Sequence, residues 1–291
     1  MIHTRGQKTI FLMMAPFFII FACFTVFPVI FSMIMSLTNF NVLQAPEFIG
    51  LDNYRRIILE DSIFKLAFQH TIVLGLIVGP IAYILSFLMA WILNEFSVWL
   101  RTIFTVILYG PSLAGNAYVI WGLIFSSDSN GYANAWLQAL GITQEPILWL
   151  QNPQYMMGII ILVQIWMSFG VGFLSFIAGL QGLDRAQLEA GELDGIRNRW
   201  QELWYIVLPS MKPQLLFGAV MSIASSFSVT GTALTSFPST GYATHTIIDH
   251  ISDYGLIRLE LGYASALAVI LFAMMLLTSA AIRKFLGKVG S

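Results

Sequence analysis

The chain has 291 residues, of which 57% are hydrophobic and 10% charged, with a formal net charge of -1 and a mean hydropathy of +0.78. Soluble domains carry about 25% charged residues, so this composition excludes an ordinary soluble enzyme; the net charge by itself says nothing about partners, and no nucleic-acid partner is expected. It marks an all-α polytopic membrane protein, read as a single domain over 1–291. Lipid offers backbone polar groups no partner outside helices and closed barrels, and these apolar runs are too long and uniform for barrel strands.

A span needs roughly 20 predominantly apolar residues. Six stretches qualify, at about 10–37, 67–94, 103–126, 156–180, 214–235 and 261–282. The first follows Arg5 and Lys8, and its apolar run is too long for a signal peptide, so a retained transmembrane helix is expected. It holds Cys23, the one cysteine; no intrachain disulfide can form, and the thiol reads as a small hydrophobe. The next loop, Pro46 to Arg56, has turn punctuation and an amphipathic continuation from Tyr54 to Phe64. Asn130 to Gly141 predicts a short helix closed by glycine. His70, His245 and His250 are scattered, and with no Cys/His cluster at ligand spacing no metal site is predicted.

Between the fourth and fifth spans lies a polar island, with nine charged residues between Asp184 and Lys212. Asp184 is placed to cap a helix over Leu183–Leu193, and Gly195 permits a sharp turn. Asn198 caps a second helix over Arg199–Val207, which Leu208-Pro209 is expected to stop. Glu189 and Glu192, three apart, share a helical face. The island is either a solvated cap on the bundle or a surface gripped by a partner. Ten Lys/Arg residues (Arg5, Lys8, Arg101, Arg185, Arg197, Arg199, Lys212, Arg283, Lys284 and Lys288) fall on the side of the termini. Four (Arg55, Arg56, Lys65 and Arg258) fall on the other. That bias predicts cytoplasmic termini and a cytoplasmic island, with outer loops at 38–66, 127–155 and 236–260.

Polar residues inside spans face a cavity or a neighbouring helix. The fourth span carries Gln164 and Trp166; the fifth carries Ser222, Ser225, Ser226 and Ser228, with Thr230 and Thr232 beyond. Ser222, Ser225, Ser226 and Val229 follow i, i+3, i+4, i+7 spacing, which places hydroxyls along one face. Amide and hydroxyl groups beside aromatics suit sugars, and serines suit helix packing equally well. Asn116, Tyr118 and Trp121 in the third span read as interfacial or packing residues. No G-x4-G-K-[ST] phosphate loop, no G-x-S-x-G elbow and no paired intramembrane carboxylates occur, so no catalytic residue and no ATP-binding loop are predicted in this chain. An ion-coupled secondary carrier would call for ionisable groups or broken helices at mid-membrane, and no Asp, Glu, Lys or Arg lies there.

Glu189-Ala190-Gly191-x3-Gly195, followed by Ile206-x-Leu208-Pro209, resembles the Glu-Ala-Ala coupling motif of ABC-importer permeases. It departs in Gly191, which stands where the family usually has alanine and loosens an isolated helix by up to about 1 kcal/mol. The segment from Gly195 to Ile206 is also one residue longer than usual. Phe48 to Arg56 and Leu261 to Ala266 are similar to segments of carbohydrate permeases of the maltose-transporter type. The chain looks like that system's larger permease without its extra spans and large periplasmic insertion.

The resemblance covers nearly the whole chain and implies the ABC type I importer permease fold. It implies that 183–213 is the coupling loop, with Glu189, Ala190, Gly191, Asp194, Gly195, Ile206, Leu208 and Pro209 at the ATPase contact. Measured back from Glu189, Gln164 stands where the maltose permease has a sugar-contacting Asn. The implied function is alternating-access import of a carbohydrate of oligosaccharide size, with a glycerol-phosphate-like polyol as the alternative. The implied partners are a second permease subunit in a pseudo-symmetric heterodimer, two ATPase subunits carrying ATP and Mg, and an extracytoplasmic solute-binding protein. No cofactor is expected in this chain, and its place is the prokaryotic cell membrane.

Overall fold

The computed structural model describes residues 2–114 and 117–286; Asn116 and Lys288 lie outside them. Helices follow one another as α1 (Ile2–Phe21), a π-helical turn (Ala22–Val26), α2 (Phe27–Met35), α3 (Asp52–Arg55), a second π turn (Arg56–Glu60), α4 (Ser62–Asn94), α5 (Val98–Leu113) and α6 (Ala117–Ile124). The chain continues as α7 (Tyr132–Ala139), α8 (Pro153–Met167), α9 (Val171–Gln181), α10 (Arg185–Leu193), α11 (Arg199–Glu202), a third π turn (Leu203–Val207), α12 (Leu208–Ser210) and α13 (Lys212–Phe227). It ends with α14 (Ile247–Ser252), a π turn (Asp253–Ile257) and α15 (Leu261–Leu286). Among the described residues the one extended pairing is an antiparallel bridge between Thr38 and Phe48.

Four segments, Leu12–Met35, Ser62–Asn94, Pro153–Gln181 and Leu261–Lys284, are long and apolar enough to cross a bilayer. Two bent helix pairs bring the number to six when each pair is one span. The expected third span, 103–126, is not one straight helix: α5 and α6 are inclined at 93°. Pro111 deprives the last turn of α5 of an N–H, and Ala114 is extended, with φ -82° and ψ 101°.

The expected fifth span, 214–235, ends early, at Phe227. The buried Asp249 carboxylate accepts the Gly231 N–H (2.9 Å), the Thr232 hydroxyl (2.5 Å), and the Thr246 N–H and hydroxyl (both 2.9 Å). These bonds take up backbone that another helical turn would need. Gly231 lies so close to the Thr244 carbonyl that no Cβ fits.

Proline is also handled differently from expectation. Pro209 does not end the second island helix, which runs on to Ser210 through the π turn at Leu203–Val207. The same device precedes Pro28, after the π turn at Ala22–Val26. A prolyl ring collides with the carbonyl four residues back in an α-helix; a wider π turn at that point lets the helical path continue.

The chain groups into two compact units, 1–64 with 250–272, and 65–249 with 273–291. In the first, buried Asn53 donates its amide to the Ser36 and Thr38 carbonyls, 2.8 Å each. The Gly262 N–H reaches the Phe40 carbonyl at 2.8 Å, and Gly262 abuts the Thr38 carbonyl with no room for a Cβ. The two segments similar to carbohydrate permeases, Phe48–Arg56 and Leu261–Ala266, thus meet at the end of α2. Beside them the Tyr263 hydroxyl donates to Asp61 Oδ2 (2.6 Å), His250 Nε2 lies 2.9 Å from the same oxygen, and the Phe64 N–H donates to Oδ1 (2.8 Å). Burial opposes ionisation of Asp61, but the bonds from His250, Tyr263 and Phe64 outweigh it and hold the carboxyl well below the usual carboxylate range. Arg56 pairs with Glu260 at 2.6 Å and covers the Tyr263 ring at 4.4 Å.

In the second unit, the Phe176 ring of α9 meets Tyr83 and Phe87 of α4 edge-on, with centroids at 5.5 and 5.6 Å. That ring fills the space left by Gly218 of α13, and a Cβ on Gly172 would lie 3.5 Å from the Gly218 Cα. Small residues bring α9 and α13 together here, as membrane helices require.

Candidate functional site

The island is built by its own caps. Asp184 accepts the Ala186 N–H at 3.0 Å and opens α10. Gly195, at φ +96°, closes it: the Gly195 N–H reaches the Glu192 carbonyl (3.2 Å) and the Ile196 N–H the Gly191 carbonyl (3.0 Å). This is a Schellman closure, whose paired bonds satisfy the last carbonyls of a helix. Asn198 then accepts the Gln201 N–H at 2.9 Å and opens α11.

Gly191 is the one buried residue of α10. A Cβ there would stand 2.5 Å from Ile206 Cδ1 and 3.0 Å from Ile196 Cδ1. The departure from alanine therefore has a local reason, since the Ile206 and Ile196 side chains occupy the space an alanine methyl would take. Ala190, Gly191, Asp194 and Ile206 line one shallow groove of about 390 Å³, with Tyr205 and Ser210. Glu189, Glu192 and Leu193 are exposed, Leu193 at 90%. Gly195 supplies the turn, while Leu208 and Pro209 lie in α12 and do not line the groove.

A second feature is a cavity of about 200 Å³ within the spans. Gln164 of α8 and Ser222 and Ser225 of α13 line it together, joined by Ser86, Ser112 and Ser168, which sequence reasoning did not single out. The fourth span is interrupted beside it, at Ser168–Gly170, where the Ser168 hydroxyl donates to the Ile165 carbonyl (2.6 Å) and the Gly170 N–H to the Ser168 carbonyl (2.7 Å). Breaks of this kind expose backbone polar groups to a cavity. The Tyr118 hydroxyl donates to Gln164 Oε1 at 3.0 Å. That bond occupies the acceptor and leaves the Gln164 amide N–H groups for other partners. Tyr118, expected to pack, thus touches a site residue; its spacing from Gln164 along the chain gave no signal of this.

The other candidates lie elsewhere. Trp166 is 40% exposed and packs edge-on against Trp121, centroids 6.1 Å apart. Ser226 is buried, donates to the Ile223 carbonyl at 3.0 Å, and faces Gly79 of α4. Ser228 is the C-cap of α13 and donates to the Ala224 carbonyl at 2.7 Å. Among the described residues no group of His, Cys, Asp and Glu is placed to hold a metal ion.

Residues 82–289 match the family model described as binding-protein-dependent transport system inner membrane component. The chain is 33% identical over 260 residues to the "Probable ABC transporter permease protein YesP" of Bacillus subtilis (strain 168), covering 87% of this chain and 82% of that one. It is 29% identical to the "Arabinooligosaccharides transport system permease protein AraP" of the same organism, covering 92% and 85%. Among solved structures, a chain of a bacterial ABC transporter involved in import of the acidic polysaccharide alginate superposes with a TM-score of 0.75 at 22% identity, covering 99% of this chain and 98% of that one.

Proposed function

The chain belongs to the family of binding-protein-dependent transport system inner membrane components, and from that premise we propose that it is the permease subunit of an ATP-driven importer that carries an oligosaccharide by alternating access. The observation that supports this most is the cavity of Gln164, Ser222 and Ser225 beside the broken fourth span. Its amide and hydroxyl groups match the donors and acceptors of sugar hydroxyls. The described lining holds no acidic or basic residue, which speaks against a phosphorylated polyol and against a proton-coupled carrier, while the broken span is a feature shared with sodium-coupled carriers.

In this reading the chain has no ATPase site of its own. One of the two ATPase subunits docks on α10 around Glu189, with the groove of Ala190, Gly191, Asp194 and Ile206 as the receiving surface and Leu208 and Pro209 transmitting motion to α13. A second permease subunit covers the first span, whose apolar side chains from Phe17 to Phe31 are exposed in this chain. A binding protein delivers sugar from the outer side, and the termini and island lie in the cytoplasm by the Lys/Arg bias. Nucleotide state and cavity state are then coupled through one rigid element, which makes the coupling reciprocal.

Reconstitution of the permease pair with its ATPase and binding protein in proteoliposomes tests this. Uptake of labelled arabino-oligosaccharide or another oligosaccharide should require both ATP and the binding protein. Uptake driven by a proton or sodium gradient without ATP would overturn the reading.

A further inference from the structure

A crevice of about 420 Å³ opens where the end of α4, the start of α5, the junction of α9 with α10, and α11 come together. It shares no residue with the cavity at Gln164 or with the groove beside Glu189. Arg101, Arg185 and Arg199 line it, with Glu95, Glu202 and Trp91. Arg199 is committed to an ion pair with Glu95 and lies 5.5 Å from the Trp91 ring centre. Arg101 has a 3.5 Å bond to the Asn94 amide oxygen. Among the described residues neither Arg101 nor Arg185 forms an ion pair, and Glu202 has no cationic partner. With the Arg199–Glu95 pair neutralised internally, two positive groups and one negative group remain, a net charge of +1.

The crevice also lies at the edge of the bilayer. The turn at 95–97 joins two spans, and Trp99, Trp200 and Trp204 around it are 71%, 60% and 63% exposed. Tryptophans at such depth belong to the headgroup level. We propose that this crevice binds the headgroup of an acidic phospholipid, with Arg101 and Arg185 on the phosphodiester and Glu202 accepting from headgroup hydroxyls. Guanidinium groups match phosphate oxygens two at a time, and the residual charge of +1 balances the single negative charge of a phosphodiester. A free phosphate monoester carries about -1.5 to -2 at neutral pH and would meet Glu202 uncompensated, which favours the lipid. Arg185 is the first residue of α10, so an occupied crevice ties the start of the island helix to the ends of α4 and α5. The choice of leaflet rests on the orientation proposed above.

The test uses the complete transporter in nanodiscs of phosphatidylcholine containing phosphatidylglycerol, with retained lipid counted by native mass spectrometry. Phosphatidylglycerol should be enriched on the wild-type complex. Arg101→Gln and Arg185→Gln should each lower its retention roughly 5-fold, the usual contribution of one basic residue at an acidic membrane surface, and the double variant more. Retention unchanged in the double variant would overturn the site. Displacement of the lipid by millimolar inorganic phosphate would make the ligand a free anion, and enrichment seen only before the ATPase is added would make the crevice part of that interface; either overturns the lipid assignment. Labelling of Ser97→Cys by an impermeant maleimide, in a Cys23→Ala background, reads the orientation separately. Labelling from the outer side alone, with arginine-dependent lipid retention intact, would sink the orientation and leave the headgroup site standing.

Discussion

The carboxylates of α10 in the polar island and the cluster around Asp61 both gather charge in a chain that is only 10% charged, and they use it in opposite ways. Around Asp61 the groups answer one another: His250 and Tyr263 share one carboxylate oxygen, and Arg56 pairs with Glu260. In α10, Glu189, Glu192 and Asp194 stay on the surface, and no ion pair among the described residues engages them. Charges that satisfy each other internally hold a fold together, whereas surface charges left uncommitted are available to another chain. The contrast separates an internally paired cluster from a charged surface open to water or to another chain.

The largest effect that would break this comparison is at Glu189. Glu189→Lys should lower ATP-driven uptake roughly 100-fold, because a reversed charge meets a partner surface shaped for a carboxylate. Membrane insertion, followed by blotting of the membrane fraction, should be unchanged; normal uptake would remove the island from the coupling path. Next comes the Asp61 cluster. Asp61→Ala leaves the Tyr263 hydroxyl and His250 without their shared acceptor, and should cost about 2–4 kcal/mol of stability, read as a lowered Tm in detergent. If Asp61→Ala instead spared Tm and abolished uptake, the cluster would be functional rather than structural.

Gln164→Ala should reduce transport about 10-fold through loss of one or two hydrogen bonds to substrate, mainly as a raised KM, while assembly with the partner subunits persists. Unchanged kinetics would take Gln164 out of the substrate site. A smaller effect concerns pH. The Asp61 carboxyl has a folded pKa below its unfolded value, so its contribution is complete above the unfolded carboxylate range, about pH 4, and is lost as pH falls through the lower folded value. Tm should therefore be insensitive to this group from pH 5 to 8, and the Asp61→Ala penalty should shrink only below about pH 4; a penalty that changed between pH 6 and 7 would point to a different titrating group. The smallest effect is expected for Gly191→Ala. Gain in helix propensity of up to about 1 kcal/mol opposes displacement of the flexible end of Ile206, so Tm and uptake should both stay near wild type.

Much of this was legible in the residues. Asp184, Gly195 and Asn198 act within two or three residues of themselves, and each caps or turns the chain as its side-chain chemistry dictates. Asn130 to Gly141 likewise forms a helix closed by Gly141 at φ +69°. The failures have two origins, distant partners and a local π turn. Val229 to Thr235 reads as a continuing span, yet Asp249, eighteen residues beyond Gly231, captures that backbone. Pro209 reads as a stop, yet the π turn before it carries the helix on. Three serines on α13 look alike in sequence; only tertiary packing puts Ser222 and Ser225 on the cavity and Ser226 against Gly79.

What the amino-acid sequence determined by itself was the solvent of each segment and the ends of the local elements: apolar length sets a span, and a cap acts on its own turn. Tertiary structure alone decided which polar groups converge and which charges stay unpaired. Those outcomes depend on contacts between residues far apart in the chain, whose free energy no local window contains.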